Sequence, residues 1–152
     1  MSKENDVLEA LKEQLKGYFS DPVKWGGGRV DVFRNIAVPA EIPPGGCIII
    51  RDGDPGQPDQ CLGQSPVCFY SHRVEIEAYV ENGNDQERDN AHALLTSGVG
   101  AGIDADPTLG GETKGCVYGR PGSKITPIDG GADIKSALII ATFDYQTNSP
   151  LA

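Results

Sequence analysis

The sequence predicts an α+β domain: a mixed or mainly antiparallel sheet with two helices packed on one side and long Gly/Pro-rich loops. Three observations predict it. An amphipathic helical repeat opens the chain, a strand alternating strictly between apolar and polar residues lies in the middle, and a strand near the end is apolar without alternation. The 152 residues suit one domain, taken as 1–152, and a chain of that size buries roughly 68–70% of its unfolded surface without help from disulfides or metals. With 20 Gly and 11 Pro, the excess of turn formers has to sit in loops.

Residues 3–19 set Val7, Leu8, Leu11, Leu15, Tyr18 and Phe19 at three- and four-residue intervals, with Lys3, Glu4, Glu9, Lys12, Glu13 and Lys16 between them. That spacing buries one stripe of a helix. Ser2 is its N-cap, and Gly17 with Ser20-Asp21-Pro22 supplies the stop. The turn Trp25-Gly26-Gly27-Gly28 leads into a first strand over 29–36, where Val30 and Val32 share a pleat face that Ile36 continues. After a Pro- and Gly-rich stretch at 39–46, the run from Cys47 through Ile48, Ile49 and Ile50 to Arg51 fits a strand buried on both faces.

Residues 52–66 form a long loop, near the upper limit for a compact domain. The clearest strand follows: His72, Val74, Ile76, Ala78 and Val80 alternate with Arg73, Glu75, Glu77, Tyr79 and Glu81. One face is core, and the other meets water or a partner. Residues 82–85, Asn-Gly-Asn-Asp, close the strand and offer N-caps to a second helix. Its apolar positions Ala91, Leu94, Leu95 and Val99 run toward Gly100 and Gly102. From 104 to 133 the chain reads as an extended loop or flexible hairpin, with a short strand at 115–118 and Ile125 and Ile128 beyond it. Residues 137–145, Ala-Leu-Ile-Ile-Ala-Thr-Phe-Asp-Tyr, read as a central strand.

A net charge of −9 argues against a nucleic-acid clamp, because such proteins gain affinity by neutralising phosphates with Lys and Arg. No apolar run approaches the ~18 residues that cross a bilayer, and charges run through the first segment where a signal peptide has an apolar core. A cytosolically folded chain without membrane partners is expected. Cys47, Cys61, Cys68 and Cys116 form no CxxC pair, so reduced thiols are expected, with a Cys61–Cys68 bridge only in an oxidising medium.

No constellation for chemistry emerges. Gly26-Gly27-Gly28-Arg29 lacks the Lys-Ser/Thr ending of a P-loop and precedes a strand. Cys61, Cys68 and His72 match no zinc spacing, and a Cys68/His72 nucleophilic pair would sit roughly 13 Å apart along a strand. Asp52, Asp54 and Asp59, or Asp104 and Asp106, lack the spacing of an EF-hand loop. His92 is read as structural, and the carboxylates of 85–89 as favouring a helix N-terminus. No catalytic, cofactor-binding or metal-binding residue is assigned and no cofactor is expected. The candidate interface with a subunit or partner is Arg73, Glu75, Glu77, Tyr79 and Glu81, with the loops at about 52–66 and 104–133.

Four stretches carry a resemblance: the opening helix VLEALKEQLKGYF, the strand and helix HRVEIEAYVENG and ERDNAHALLTSGV, the phrase DPTLGGETKGCVYG, and the closing ALIIATFDYQTNSP. Over most of its length the chain resembles the tail-terminator (tail-completion, minor tail) proteins of siphophages and prophages. The resemblance implies a structural virion protein without catalytic residues. Such a protein caps the tail tube as a hexameric ring, ends tube polymerisation and offers the head-joining surface. Its partners would be copies of itself, the tail-tube protein and a head–tail connector protein, with DNA passing through an acidic lumen without specific binding. It would act in the host cytoplasm during assembly and then in the virion at the tail–head junction. A head–tail stopper or neck connector is the alternative, and a small thiol-dependent enzyme using Cys68 or Cys116 a third reading.

Overall fold

A computed structural model of the chain describes residues 2–39, 41–57, 67–126 and 132–148, and the backbone of 60–61. The fold is α+β. Its elements are α1 (Lys3–Phe19), α2 (Pro22–Trp25), β1 (Val30–Arg34), β2 (Gly46–Asp54), β3 (Gln60–Cys61), β4 (Cys68–Asn82), α3 (Asp85–Asp104), β5 (Gly115–Tyr118), β6 (Gly122–Thr126) and β7 (Asp133–Thr147). The sheet runs β1-β2-β4-β7-β5, with β3 on β4 and β6 on β7. β1 and β2 are parallel and every other pair is antiparallel.

The centre of the sheet is β4 against β7, paired without a break from Cys68↔Thr147 to Asn82↔Asp133. Alternation decides what each face meets. Val74, Ile76, Ala78 and Val80 of β4, Ala137, Ile139, Ala141, Phe143 and Tyr145 of β7, and Ile48 and Ile50 of β2 form one core with the buried stripes of α1 and α3. Each fully buried Leu, Ile, Val or Phe contributes about 1.5–3 kcal/mol. Among the described residues no helix is long and apolar enough to cross a membrane.

Both long helices are capped by the residues their sequences supply. The Ser2 side chain accepts from Asn5 N–H, and Asn84 accepts from Glu87 N–H. α1 and α3 approach closely at two glycines of α3. A Cβ on Gly98 would lie 2.7 Å from Phe19 Cε1, and one on Gly102 2.9 Å from Leu15 Cδ2. Gly102 and Gly100 therefore lie within α3 and do not end it. Leu94, expected in the core, faces out at 41% exposure, while Arg88 and His92 take buried positions on that helix.

Three further expectations are corrected. Ile36 does not extend β1, because Asn35 turns the chain at φ 55° while its N–H still bonds Ile50 O. The loop expected at 52–66 is shorter, since β2 continues to Asp54 and β3 adds a pair on β4. In the described part of the segment 104–133, β5 is the strand expected at 115–118, and β6 is an unexpected second strand where a loop was read; the two run end to end along β7. Between Tyr118↔Ala141 and Gly122↔Leu138 the edge carries one more residue than its partner, a β-bulge. The turn before it is tied by Asp106, whose carboxylate accepts from the Thr108 hydroxyl at 2.6 Å and from Gly110 N–H at 2.8 Å. The expectations placed on Asp59, Ile128 and Pro150 lie outside the described residues.

Candidate functional site: the helix-free face of the sheet

The polar half of the β4 alternation points away from the helices. Arg73, Glu75 and Glu81 are exposed, and Glu77 and Tyr79 half-buried. Register sets their neighbours. Glu77 stands between Ile49 and Leu138, Glu75 between Arg51 and Ile140, Tyr79 between Cys47 and Ser136, and Arg73 between Asp54 and Thr142. Glu81 faces Ile134. The structure thus brings the five sequence-predicted residues onto one strand face.

Glu77 is the hub. Arg51 donates to it through Nε at 3.2 Å and Nη2 at 3.4 Å, and the Tyr79 hydroxyl donates at 2.6 Å. Burial, and then the bond to this carboxylate, pushes the Tyr79 hydroxyl up to about 12. At the other end Ser71 Oγ donates to Asp144 at 2.8 Å. Apolar side chains interrupt this polar surface. On β7 Leu138 is 40% exposed, and on β5 Val117, level with Thr142, is 73% exposed.

Cys47 and Ile49 also point to this face, yet both are fully buried. Beside Arg73 a bulge between Arg51 and Asp54 opens a shallow cavity of about 230 Å³ lined by Gly53, Asp54, Arg73, Glu75 and Ile140. Gly53 is required there, since it sits at φ +64° and a Cβ would meet Arg73 O at 2.2 Å. The face thus offers cations, carboxylates, a phenol and unshielded apolar groups over the length of two long strands, the composition of a docking surface.

No protein-family model matches the chain, and no curated protein matches it.

The remaining reactive groups are tied into structure. His72 is fully buried on the helix-covered side. Its Nε2 donates to the carbonyl of Asp52, so in the neutral ring Nδ1 accepts from the Tyr145 hydroxyl at 3.1 Å. Cys68 is disulfide-bonded, which corrects the expectation of reduced thiols at that position, and the β3–β4 register sets Cys61 opposite it. Cys47 and Cys116 are free, and burial pushes their thiols up to about 11 and about 12. Gly27 reads as packing rather than a phosphate cradle, since a Cβ there would lie 2.2 Å from the Trp25 ring. Among the described residues no group of His, Cys, Asp and Glu is arranged to hold a metal ion.

Sequence reasoning missed two polar clusters. Arg34 donates to both oxygens of Asp52 at 2.7 and 2.8 Å, to Glu9 at 2.9 Å and to Asn5 at 2.7 Å, joining β1, β2 and α1. The Arg34 guanidinium holds the Asp52 carboxyl below its ordinary range. The signal was present, because Arg34 shares the inward pleat face of Val30 and Val32, where a charge needs partners. Arg88 was missed similarly. It is buried against Asp85 at 2.9 Å and Asp133 at 3.7 Å, with Nε and Nη1 left without a hydrogen bond.

Proposed function

We propose that this chain is a structural virion protein, a tail-terminator-like subunit that assembles with copies of itself as a ring on a phage tail tube. There it ends tube polymerisation and presents the surface that joins the head. The observation that carries this reading is the helix-free face of β4 and β7, where Leu138 and Val117 stand unshielded beside Arg73, Glu75, Glu77, Tyr79 and Glu81. Antiparallel sheets commonly leave one face to water, and a single exposed apolar residue is ordinary there; what favours a contact is that Leu138 and Val117 share this face with all five polar residues of β4. The resemblance in element order supports the same reading. The thiol-dependent alternative is disfavoured by chemistry, since Cys68 is held in a disulfide and the Cys116 thiol is raised to about 12, leaving little thiolate at neutral pH.

The test is tube growth. The purified chain, added to polymerising tail-tube protein encoded beside its gene, is expected to cap tubes at fixed length and to appear in electron micrographs as a ring at one end. Uncapped growth overturns the reading. Co-purification with a portal-side adaptor instead of the tube protein would transfer the chain to the neck.

A further inference from the structure

Of the asparagines in the chain, Asn82 alone is followed by glycine. It closes β4, level with Asp133 in the last pair of the central ladder. Asn82 is half-buried, and Gly83 and Asn84 are exposed. The Asn84 N–H donates to Asn82 Oδ1 at 2.8 Å, an Asx-turn in which the side chain folds back along its own backbone. That turn carries Cγ toward the peptide nitrogen of Gly83. The bonded N–H also draws electrons from the Cγ carbonyl, as a donor does for a developing oxyanion.

The attacking side is open. A Cβ built on Gly83 meets nothing within 4 Å, so the backbone nitrogen has room to close on Cγ. The other asparagines lack this combination. Asn5 and Asn90 lie inside α1 and α3, where the next nitrogen is fixed by the helix. Asn35 precedes the branched Ile36, and its Oδ1 accepts from Asp52 N–H at 3.2 Å. Asn84 caps α3 through Glu87 N–H at 3.0 Å, and Asn148 precedes Ser149.

We propose that Asn82 is a modification site, converted in the folded chain to aspartate and isoaspartate by attack of the Gly83 nitrogen. The reaction consumes one water and releases one ammonia. The Gly83 nitrogen gives its proton to solvent and bonds to Asn82 Cγ; the Cγ–Nδ2 bond breaks, and Nδ2 takes up a proton and leaves. Water then opens the resulting five-membered imide. Attack at Cγ yields aspartate, and attack at the backbone carbonyl yields isoaspartate, with the chain running through Cβ.

The product changes the junction between β4 and α3. Asn82 Nδ2 donates to Glu87 Oε2 at 3.4 Å, whereas a carboxylate in that place has no proton to donate and repels Glu87. In isoaspartate the junction also gains a methylene ahead of the cap of α3. A cation nearby offsets the added charge. Asp133, level with residue 82, lies 3.7 Å from Arg88 Nη1, and the buried Arg88 keeps Nε and Nη1 without a hydrogen bond. The converted chain therefore stays folded. The site goes beyond the assembly reading and does not depend on it.

Peptide mapping by mass spectrometry tests it, on wild type and Gly83→Ala held warm under native conditions at mildly alkaline pH. Gly83→Ala is a fair control, because the methyl has room and the residue lies outside the left-handed region. In the wild type the mass gain of amide-to-acid conversion should appear at Asn82 ahead of every other asparagine, in both aspartate and isoaspartate forms. Gly83→Ala should slow it roughly tenfold, since a methyl on the attacking residue hinders the approach. The converted fraction should elute later from an anion exchanger and keep its circular dichroism. Conversion of another asparagine first, equal rates in the two chains, conversion only after unfolding in denaturant, or an unfolded converted fraction would each overturn the proposal.

Discussion

Gly98 and Gly17 are both helical glycines, and the structure predicts opposite signs for replacing them with alanine. At Gly17 a Cβ meets nothing within 4 Å. Gly17→Ala should therefore gain the helix propensity alone, about 0.5–1 kcal/mol. At Gly98 the same methyl would sit 2.7 Å from Phe19 Cε1 and 3.0 Å from Cζ. The Phe19 ring cannot swing aside. It is buried and stands edge-on to Trp25 at 4.9 Å and to Tyr18 at 5.3 Å.

Overpacking a tight core costs about 1–3 kcal/mol, against a propensity gain of about 1 kcal/mol, so Gly98→Ala should lose about 1 kcal/mol net. The two variants should then differ by about 2 kcal/mol, which for a chain of this size separates their melting temperatures by about 4–8 °C. Thermal melts followed by circular dichroism measure this. Equal stabilisation by both substitutions would refute the close approach of α1 and α3.

Three other outcomes follow from the polar and thiol groups. Arg34→Met leaves Asp52 and Glu9 without their cation; because both carboxylates reach water, at 30% and 43% side-chain exposure, the loss should be about 1–2 kcal/mol in urea unfolding, not the ~3–5 of a fully buried pair. The Asp52 carboxyl lies below its ordinary value in the folded state, so its contribution is full above an unfolded pKa of about 3.9 and fades as pH falls through the folded value. Melting curves of wild type and Asp52→Asn should differ at neutral pH and converge in acid, and a constant gap would refute the assignment. With the Cys47 and Cys116 thiols raised, the native chain should react slowly with a thiol reagent at pH about 8. Denaturation without reductant should release two thiols, and a third would refute the bridge at Cys68.

What the sequence disclosed is what period discloses. α1, β2 and β4 were legible because a helical stripe, a β-branched run and strict alternation each constrain a single segment. β5 was legible too, as the short strand at 115–118, but β6 was not, because its strand character comes from pairing with β7, and Gly119, Pro121 and Gly122 read as loop when they in fact mark the bulge. Gly98 and Gly102 were invisible for the same reason: a glycine's role in helix packing depends on Phe19 and Leu15, far away in the chain. The candidate face was half legible. The outward residues of β4 follow from alternation, but the contribution of β7 was hidden by its apolar run.

That run makes its own prediction. A strand apolar on both sides is the pattern of a strand buried on both faces, yet only one face of β7 is covered in the isolated chain, and Leu138 remains 40% exposed. If a partner covers the other face, Leu138→Asp should cost the isolated chain about 1–2 kcal/mol, because the new carboxylate stands opposite Glu77 in a strand that disfavours Asp, and should leave it folded. It should nonetheless abolish capping of tail tubes, because a carboxylate would be buried at the contact without a counter-charge. If the face is merely solvated, capping does not change. Unaltered capping by a well-folded Leu138→Asp chain would therefore remove this face from the assembly.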